Sequence, residues 1–178
     1  MLYLATMSPG TFHTQALWLT GASSGVGEGL AVAFAEAGAR VVLSARRADE
    51  LERVRGRMTA GDHVVLPMDV PDYPALPGKV ALVNERMGRI DVLICNAGIS
   101  QRSRFAETTL DVFRTIIEVN VMGPAAHIHA VLPVMRAQGS GHVVMLTNRR
   151  LHLNNPTRQK LSLQALHFLQ GVGVVEEP

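Results

Sequence analysis

The chain has 178 residues, about the length of one domain, of which 47% are hydrophobic and 18% are charged. This composition supports a buried core and argues against a disordered chain or a collagen-like fibre. Cys95 is the single cysteine, which excludes an internal disulfide and a cysteine-histidine metal cluster. With one cysteine we expect no metal site. The formal charge of +2 comes from residues 148–178 and no basic face accompanies it, so we expect no nucleic-acid partner.

Residues 1–15 are expected to be an N-terminal extension, whose start, MLYLATM, is apolar. This start is far shorter than the ~20 residues that a membrane span needs. It also lacks the charged beginning and the small-residue cleavage site of a secretory signal. We therefore expect no transmembrane segment and a cytoplasmic location.

From Ala16 to Thr147, short apolar runs alternate with helical patterns. The apolar runs predict five strands, the third and fourth of which end in loops: 16–20, 40–45, 63–70, 89–98 and 141–147. The helical patterns predict four helices, the last of which bends near Gly123 and Pro124: 25–38, 48–58, 73–87 and 110–139. Strands that alternate with helices in this way indicate an α/β fold.

The predicted architecture is a Rossmann-like doubly wound parallel sheet with strand order 3-2-1-4-5, because crossovers between parallel strands are right-handed. The alternation is truncated after the fifth strand. Residues 148–178 are a divergent tail with two open interpretations, one helix at 157–170 or a poorly ordered segment. The domain is therefore expected to cover residues 16–147.

A glycine-rich stretch, TGASSGVG at 20–27, lies between the first predicted strand and its helix. In such a loop Gly21 permits a tight turn, Gly25 lets the backbone approach a pyrophosphate, and Gly27 lets helix and strand pack closely. The free N–H groups at the start of the helix then meet the phosphates. Its position between an apolar strand and an apolar-faced helix favours nucleotide binding over a loop without a ligand.

The spacing T-G-x-x-x-G-x-G resembles the glycine motif of the short-chain dehydrogenase/reductase family, and differs from the G-x-G-x-x-G of other Rossmann enzymes. Asn96-Ala97-Gly98 after the fourth strand resembles the second motif of that family. Asp69-Val70 and Asn120 lie where the family has its adenine contact and its structural asparagine. The resemblance covers about residues 15–147, and the chain is most similar to the member-7 subgroup of the family. This subgroup is often associated with membranes through an N-terminal segment, so the resemblance leaves membrane association open beside a cytoplasmic location.

This resemblance implies an oxidoreductase that moves hydride between a nicotinamide dinucleotide and the carbon of a small carbonyl or alcohol substrate. It implies that three loops hold the cofactor. These are the phosphate loop with Gly21, Ser23, Ser24, Gly25, Val26 and Gly27, the adenine loop with Asp69 and Val70, and the nicotinamide-ribose loop with Asn96, Ala97 and Gly98. Asn120 would have a structural or proton-relay role.

The end of the second strand, LSARR, bears on the choice of cofactor. Enzymes that use NAD usually place an acidic residue there to bind the ribose 2′-OH, whereas no carboxylate occurs here before Asp49. Arginine suits a 2′-phosphate, because its planar fork binds phosphate oxygens in pairs. We therefore predict NADP(H) over NAD(H), with Arg46 and Arg47 as contacts. The alternative is that both are ordinary solvated residues.

The proton-transfer residues of the family have no counterpart in this chain. The resemblance implies a Ser after the fifth strand and a Tyr-x-x-x-Lys on the next helix, where the lysine lowers the tyrosine pKa from its usual ~10. Here Thr147-Asn148-Arg149 follows that strand, and Tyr3 and Tyr73 are the only tyrosines. Catalysis is therefore expected to be impaired.

Two alternatives remain open at this point, a non-catalytic nucleotide-binding interaction protein and a truncated gene product without independent function. In the family, the long helix, here 110–137, and the tyrosine-bearing helix usually form the subunit interface. We therefore expect an exposed apolar face near the fifth strand and a homo-oligomer that forms through helix 110–137.

Overall fold

The computed structural model of the protein describes residues 12–101 and 103–146. The N-terminal extension up to residue 11, Arg102, Thr147 and the tail with its predicted helix at 157–170 lie outside the described residues. The described strands are β1 (Ala16–Thr20), β2 (Arg40–Ser44), β3 (Val64–Val65), β4 (Val92–Cys95) and β5 (His142–Met145). The α-helices are α1 (Gly25–Glu36), α2 (Ala48–Arg55), α3 (Leu76–Met87), α4 (Leu110–Ile117) and α5 (Gly123–Gln138).

The five strands form one parallel sheet with the order β3-β2-β1-β4-β5, which confirms the order predicted from the sequence. The central strand β1 pairs with β2 on one side and with β4 on the other, so that Trp18 lies between Val42 and Leu93. All five residues of β1 are buried, which explains its continuously apolar sequence.

Two core clusters cover the two faces of the sheet. On one face, Trp18 and Leu93 pack in a cluster that also holds Val83 of α3 and Val131 of α5. On the other face, strand residues with the alternate orientation pack with apolar residues of α1 and α2, among them Leu17, Leu43, Ala31, Leu51 and Val54. Because helices cover both faces, the sheet is doubly wound.

Two strands are shorter than the ranges predicted from the sequence. Beyond β3, the N–H groups of Leu66 and Met68 still donate to the carbonyls of Leu43 and Ala45 at 2.9 and 3.0 Å, and Pro67 between them sits where the N–H of this edge strand would face away from β2. Beyond β4, the N–H groups of Asn96 and Ala97 turn away to the side-chain oxygen of Thr20. The contact with β2 therefore continues past the end of β3, whereas β4 ends with its apolar run VLIC, where the Thr20 hydroxyl binds the next two N–H groups.

The predicted long helix at 110–139 is two helices joined by a π-turn at Glu118–Met122. The π-turn ends at Gly123, where the sequence predicts a bend, and Pro124 occupies the first turn of α5, where its missing N–H costs no helix bond. A π-turn inserts one extra residue and is frequently found at functional sites. No helix within residues 12–101 and 103–146 is long and apolar enough to cross a membrane.

Candidate functional site at the carboxyl ends of the strands

The loops after β1 and β4 meet at the carboxyl edge of the sheet. Strand order reverses between these two strands, and open α/β sheets bind ligands in the crevice at such a reversal. The β1 loop is also tied to β2, because the N–H of Ala22 donates to the carbonyl of Ser44 at 3.1 Å. The Ser44 hydroxyl accepts a hydrogen bond from Trp18 Nε1 at 2.9 Å and is buried, so it faces the core rather than the crevice.

Two glycines let the β1 loop lie against the β4 loop. Gly21 has φ of +68°, and a Cβ there would lie 2.7 Å from the Cα of Ala97. A Cβ at Gly27 would overlap the carbonyl oxygen of Gly21 and lie 2.5 Å from Nδ2 of Asn96. Glycine is needed at both positions because neighbouring backbone occupies the space of a side chain.

The start of α1 presents unpaired donors to solvent. The N–H groups of Gly25, Val26 and Gly27 have no acceptor within the described residues, whereas that of Glu28 bonds to Ser24 at 3.3 Å. Ser24 is exposed, Ser23 is half-buried, and Val26 exposes 68% of its surface. A Cβ at Gly25 would meet nothing within 4 Å. The helix start therefore combines open space with the donors and the positive dipole end that bind anions.

Thr20 and Asn96 lock the two loops together. The buried hydroxyl of Thr20 accepts hydrogen bonds from the N–H groups of Asn96 and Ala97 at 3.1 and 3.2 Å, and donates to the carbonyl of Ile94 at 3.3 Å. In return, Nδ2 of Asn96 donates to the carbonyls of Thr20 and Gly21, both at 3.0 Å. The turn geometry of the glycine loop is therefore held from across the crevice.

Asn120 lies in the π-turn and holds the residue that follows Gly98. Its Oδ1 accepts from the N–H of Ile99 at 2.9 Å, and its Nδ2 donates to the carbonyl of Ile99 at 2.8 Å. Both ends of the amide are therefore used by the backbone of one residue. A Cβ at Gly98 would lie 3.4 Å from Asn120 Oδ1, so the loop passes close to this side chain.

Asp69 and Val70 follow β3. Asp69 is exposed and its carboxylate accepts the N–H of Val70 at 3.0 Å, which stabilises the turn. Val70 is buried and its side chain fills the space that a Cβ on Gly123 would need. Val70 therefore packs on the junction of the π-turn and α5, and Asp69 faces solvent.

Arg46 and Arg47 follow β2 and both are exposed. Arg47 Nη1 lies 3.9 Å from the carboxylate of Glu50, which is an ion pair but not a hydrogen bond. Arg46 has no ion-pair or hydrogen-bond partner within residues 12–101 and 103–146. The residues between β2 and α2 therefore present two guanidinium groups whose donors are available to an anion.

A second pair of arginines, Arg53 and Arg57, contacts the glycine loop and the first turn of α1. Arg53 of α2 donates to the carboxylate of Glu28 at 2.9 Å through two nitrogens, and also to the carbonyl of Ser23 at 3.3 Å. Arg57 contacts the same carboxylate. These bonds, that from Arg53 first, hold the pKa of Glu28 below its ordinary value. Arg53 therefore links α2 to the phosphate loop through an ion pair that stays charged.

The remaining reactive side chains of the core do not form a site. Cys95 is buried on β4, and burial raises the pKa of its thiol to about 12, so it is not a nucleophile at neutral pH. His127 is buried against Trp18, and burial lowers the pKa of its imidazole. Among residues 12–101 and 103–146, no three His, Cys, Asp or Glu side chains converge in a way that could hold a metal ion.

Several residues that hold the crevice together were not predicted as site residues. Thr20 opens the glycine motif itself, so its position in the motif was a signal. Ile99, Glu28 and Arg53 carry no signal in the sequence, because they act through backbone groups or through partners distant along the chain. The position of Tyr73 does not match that of the catalytic tyrosine which the family resemblance implies, yet its hydroxyl donates a hydrogen bond to Glu118 in the π-turn.

Comparisons with known proteins agree with this geometry. The family model described as short chain dehydrogenase matches residues 15–152. The chain is 41% identical over 138 residues to human "Dehydrogenase/reductase SDR family member 7", covering 74% of this chain and 41% of the human protein. It is 44% identical over 137 residues to the member 7-like protein of Anopheles gambiae, covering 73% of this chain and 43% of that protein. The chain thus spans less than half the length of these relatives.

Solved structures are similar over the same part of the chain. A short-chain dehydrogenase from Streptomyces avermitilis has a TM-score of 0.70 and 38% identity, covering 75% of this chain and 49% of that one. A metagenomic short-chain oxidoreductase in complex with NADP has a TM-score of 0.70 and 28% identity, covering 77% of this chain and 63% of that one. The matched motifs, the sheet order and these similarities lead to one conclusion: the chain belongs to the short-chain dehydrogenase/reductase family of oxidoreductases.

Proposed function

We propose that residues 16–147 bind NADP(H) across the carboxyl ends of β1 and β4. The observation that carries this proposal is the start of α1, where the N–H groups of the exposed residues Gly25 and Val26 have no acceptor among the described residues and a Cβ at Gly25 would meet nothing within 4 Å. In the proposed complex Gly21, Ser23 and Ser24 through Gly27 surround the phosphates, Asp69 and Val70 border the adenine, and Asn96, Ala97 and Gly98 border the nicotinamide ribose. The NADP complex of the metagenomic relative supports this assignment by similarity.

We propose that Arg46 and Arg47 select NADP(H) over NAD(H). A 2′-phosphate carries negative charge and several acceptor oxygens, and Arg46 is an exposed guanidinium that has no partner among the described residues. Each charge-assisted hydrogen bond to the phosphate is worth about 1.5–3 kcal/mol. The β2–α2 connection holds no carboxylate that could bind a ribose 2′-OH before Asp49.

Isothermal titration of the 178-residue chain with NADPH and NADH tests both proposals. We expect Arg46→Ala to weaken NADPH binding at least about tenfold and NADH binding less than about threefold. Arg55→Ala is the matched control, because Arg55 is exposed on α2 and, among the residues that the structure describes, pairs with Glu52 alone, at 2.7 Å. Equal weakening of the two cofactors would contradict the phosphate role, and no NADPH binding at millimolar concentration would contradict cofactor binding altogether.

We propose that the chain binds cofactor with little or no carbonyl reduction. The nicotinamide supplies the hydride when it is bound, and the protein must supply a proton. Tyr73 is the one tyrosine among the described residues, and burial, together with its hydrogen bond to Glu118, raises its pKa to about 12. This shift is opposite to the one that a catalytic tyrosine needs. The Ser and the Tyr-x-x-x-Lys of the family have no counterpart in these 178 residues.

A carbonyl-reductase assay over a panel of small ketones and aldehydes with NADPH tests this point. We expect turnover far below the ~1 s⁻¹ of an ordinary enzyme. Turnover at about that rate would overturn the proposed impairment and would show that another group delivers the proton. The result also separates an enzyme from a nucleotide-binding interaction protein, the second candidate function.

An exposed apolar surface favours that second candidate. Helix α4 has no buried residue, and Ile117, Val121 and Met122 expose 54%, 55% and 48% of their surfaces on α4 and the π-turn. Large side chains of this kind, grouped along one helix, are typical of an interface with another chain. We propose that the protein associates with itself through helix 110–137, as its family resemblance implies.

A further inference from the structure

The π-turn at Glu118–Met122 contacts two loops of the proposed cofactor site, and no direct hydrogen bond joins these two loops within residues 12–101 and 103–146. One is the loop after β4, which begins with Asn96 and continues to Ile99. The other is the loop after β3, which runs from Asp69 to Tyr73. The two loops correspond to opposite ends of the proposed dinucleotide, so the π-turn is the piece of structure that could set their spacing.

On the nicotinamide side the attachment is made by Asn120. Its amide binds both the N–H and the carbonyl of Ile99, at 2.9 and 2.8 Å. A side-chain amide that pairs with both backbone groups of one residue fixes the position and the orientation of that residue. The nicotinamide loop therefore follows any displacement of the π-turn.

On the adenine side the attachment has an apolar and a polar part. Val70 packs into the space left by the missing Cβ of Gly123. The hydroxyl of Tyr73 donates to the carboxylate of Glu118 and lies 3.4 Å from the carbonyl of the same residue. The 69–73 segment is itself stiffened, because Asp72 and Tyr73 donate their N–H groups to Asp69 and Pro71 at 3.2 and 2.9 Å. The adenine loop therefore also follows the π-turn.

We propose that Tyr73 and Glu118 are positioning residues, whose hydrogen bond fixes the adenine loop relative to the nicotinamide loop through the π-turn. The proposal rests on the proposed binding of NADP(H). A dinucleotide must meet both loops at once, and a site held at the right spacing before binding loses less free energy to ordering. A ligand that fills only the adenine end has no such requirement, so it should not sense the Tyr73–Glu118 bond.

Tyr73→Phe is the sharpest variant, because the ring stays in the core cluster where Tyr73 packs and only the hydroxyl is lost. We expect NADPH affinity of the full chain to fall about fivefold to tenfold, the effect of one lost hydrogen bond. Affinity for adenosine 2′,5′-bisphosphate, the adenine-end probe, should change less than about twofold. Glu118→Ala should behave like Tyr73→Phe, and the double variant should be no worse than either single one.

Glu118→Gln is the conservative variant, since its side-chain carbonyl still accepts from the Tyr73 hydroxyl, and it should restore most of the NADPH affinity. Thr115→Val is the matched control, because it removes only an exposed bond within α4, from Thr115 Oγ1 to the carbonyl of Asp111 at 2.8 Å. It should leave both affinities unchanged.

Hydrogen exchange without cofactor gives an independent readout. Tyr73 does not bond to Ile99, yet Tyr73→Phe should accelerate exchange of the Ile99 N–H about threefold or more, while the N–H of Leu19 in β1 stays unchanged. Equal losses for NADPH and adenosine 2′,5′-bisphosphate, or unchanged exchange at Ile99, would overturn the proposal. If the unsubstituted chain binds no NADPH but Ile99 exchange responds to Tyr73→Phe, the proposed cofactor is wrong. The coupling of the 69–73 loop to Ile99 through the π-turn then still holds.

Discussion

Two regions of the chain contrast in how their side chains are satisfied. One is the crevice between β1 and β4, and the other is the outer surface of α4 with the π-turn. In the crevice, buried polar groups such as Thr20 and Asn96 are bonded to partners from another strand. On the outer surface of α4, apolar groups such as Ile117 and Val121 face solvent. The difference teaches that polar side chains can join the loops of the crevice because each meets a partner from another strand, whereas the apolar side chains of α4 and the π-turn have no comparable cover among the described residues.

The largest effect is expected at Gly27, where the two loops have no room for a side chain. Gly27→Ala should lower the free energy of unfolding by about 2–4 kcal/mol, because its Cβ overlaps the carbonyl of Gly21. Gly29→Ala is the matched control in the same helix, since a Cβ there meets nothing within 4 Å, and it should stabilise by about 0.5–1 kcal/mol. Urea denaturation measures both, and equal effects would contradict the close approach of the loops.

A smaller effect is expected at Thr20, which tests whether the crevice is held by its buried hydroxyl. Thr20→Val keeps the shape of the side chain but leaves the N–H groups of Asn96 and Ala97 without their acceptor. The free energy of unfolding should fall by about 2 kcal/mol and NADPH affinity should fall with it. Thr20→Ser keeps the hydroxyl and should lose less than half as much. Identical losses for Val and Ser would assign the effect to packing.

The inner face of α5 allows a test by pH. The Nδ1–H of His127 donates to the carbonyl of Gly123 at 2.8 Å, and its buried Nε2 has no partner in the described part of the chain, so the imidazole is neutral in the folded protein. Burial lowers its pKa below the ordinary 6.5. The unfolded chain therefore binds a proton first, and stability should fall as pH drops below about 6.5, by at most ~1.4 kcal/mol per pH unit.

His127→Phe is the control for that titration, since it keeps a ring against Trp18, 5.9 Å away between ring centres. Urea denaturation between pH 7.5 and pH 5, a range chosen about the ordinary histidine value, should show a weaker pH dependence for the variant. The same slope in both proteins would place the titrating group elsewhere.

The smallest effect on stability is expected on the outer surface of α4. Val121→Glu should change the free energy of unfolding by less than about 0.5 kcal/mol, because Val121 is 55% exposed. It should nevertheless reduce self-association in light scattering and leave NADPH affinity unchanged. Glu85→Gln, at an exposed position of α3, is a charge-changing control. Unchanged association in the Val121→Glu variant would contradict the proposed interface.

The sequence predicted the strand order and the glycine loop, but not the ends of the strands. The strand β3 ends at Val65 although the apolar sequence continues to Met68, and the N–H groups of Asn96 and Ala97 leave β4 for the hydroxyl of Thr20. A run of apolar residues reports burial, whereas a strand end depends on which acceptor a given N–H meets. The π-turn was expected only as a bend near Gly123, since helical periodicity does not reveal one inserted residue.

The sequence alone determined the family, the sheet order and the position of the phosphate loop, because hydrophobic periodicity and glycine spacing are local properties that specify local backbone. Tertiary structure alone decided how the loops of the crevice are joined. Asn96 and Thr20 are 76 residues apart and Tyr73 and Glu118 are 45 apart, so nothing in the sequence around either residue of a pair indicates its partner. Hydrogen bonds act over about 3 Å, so such pairs exist only once the right-handed crossovers have brought the strand ends together.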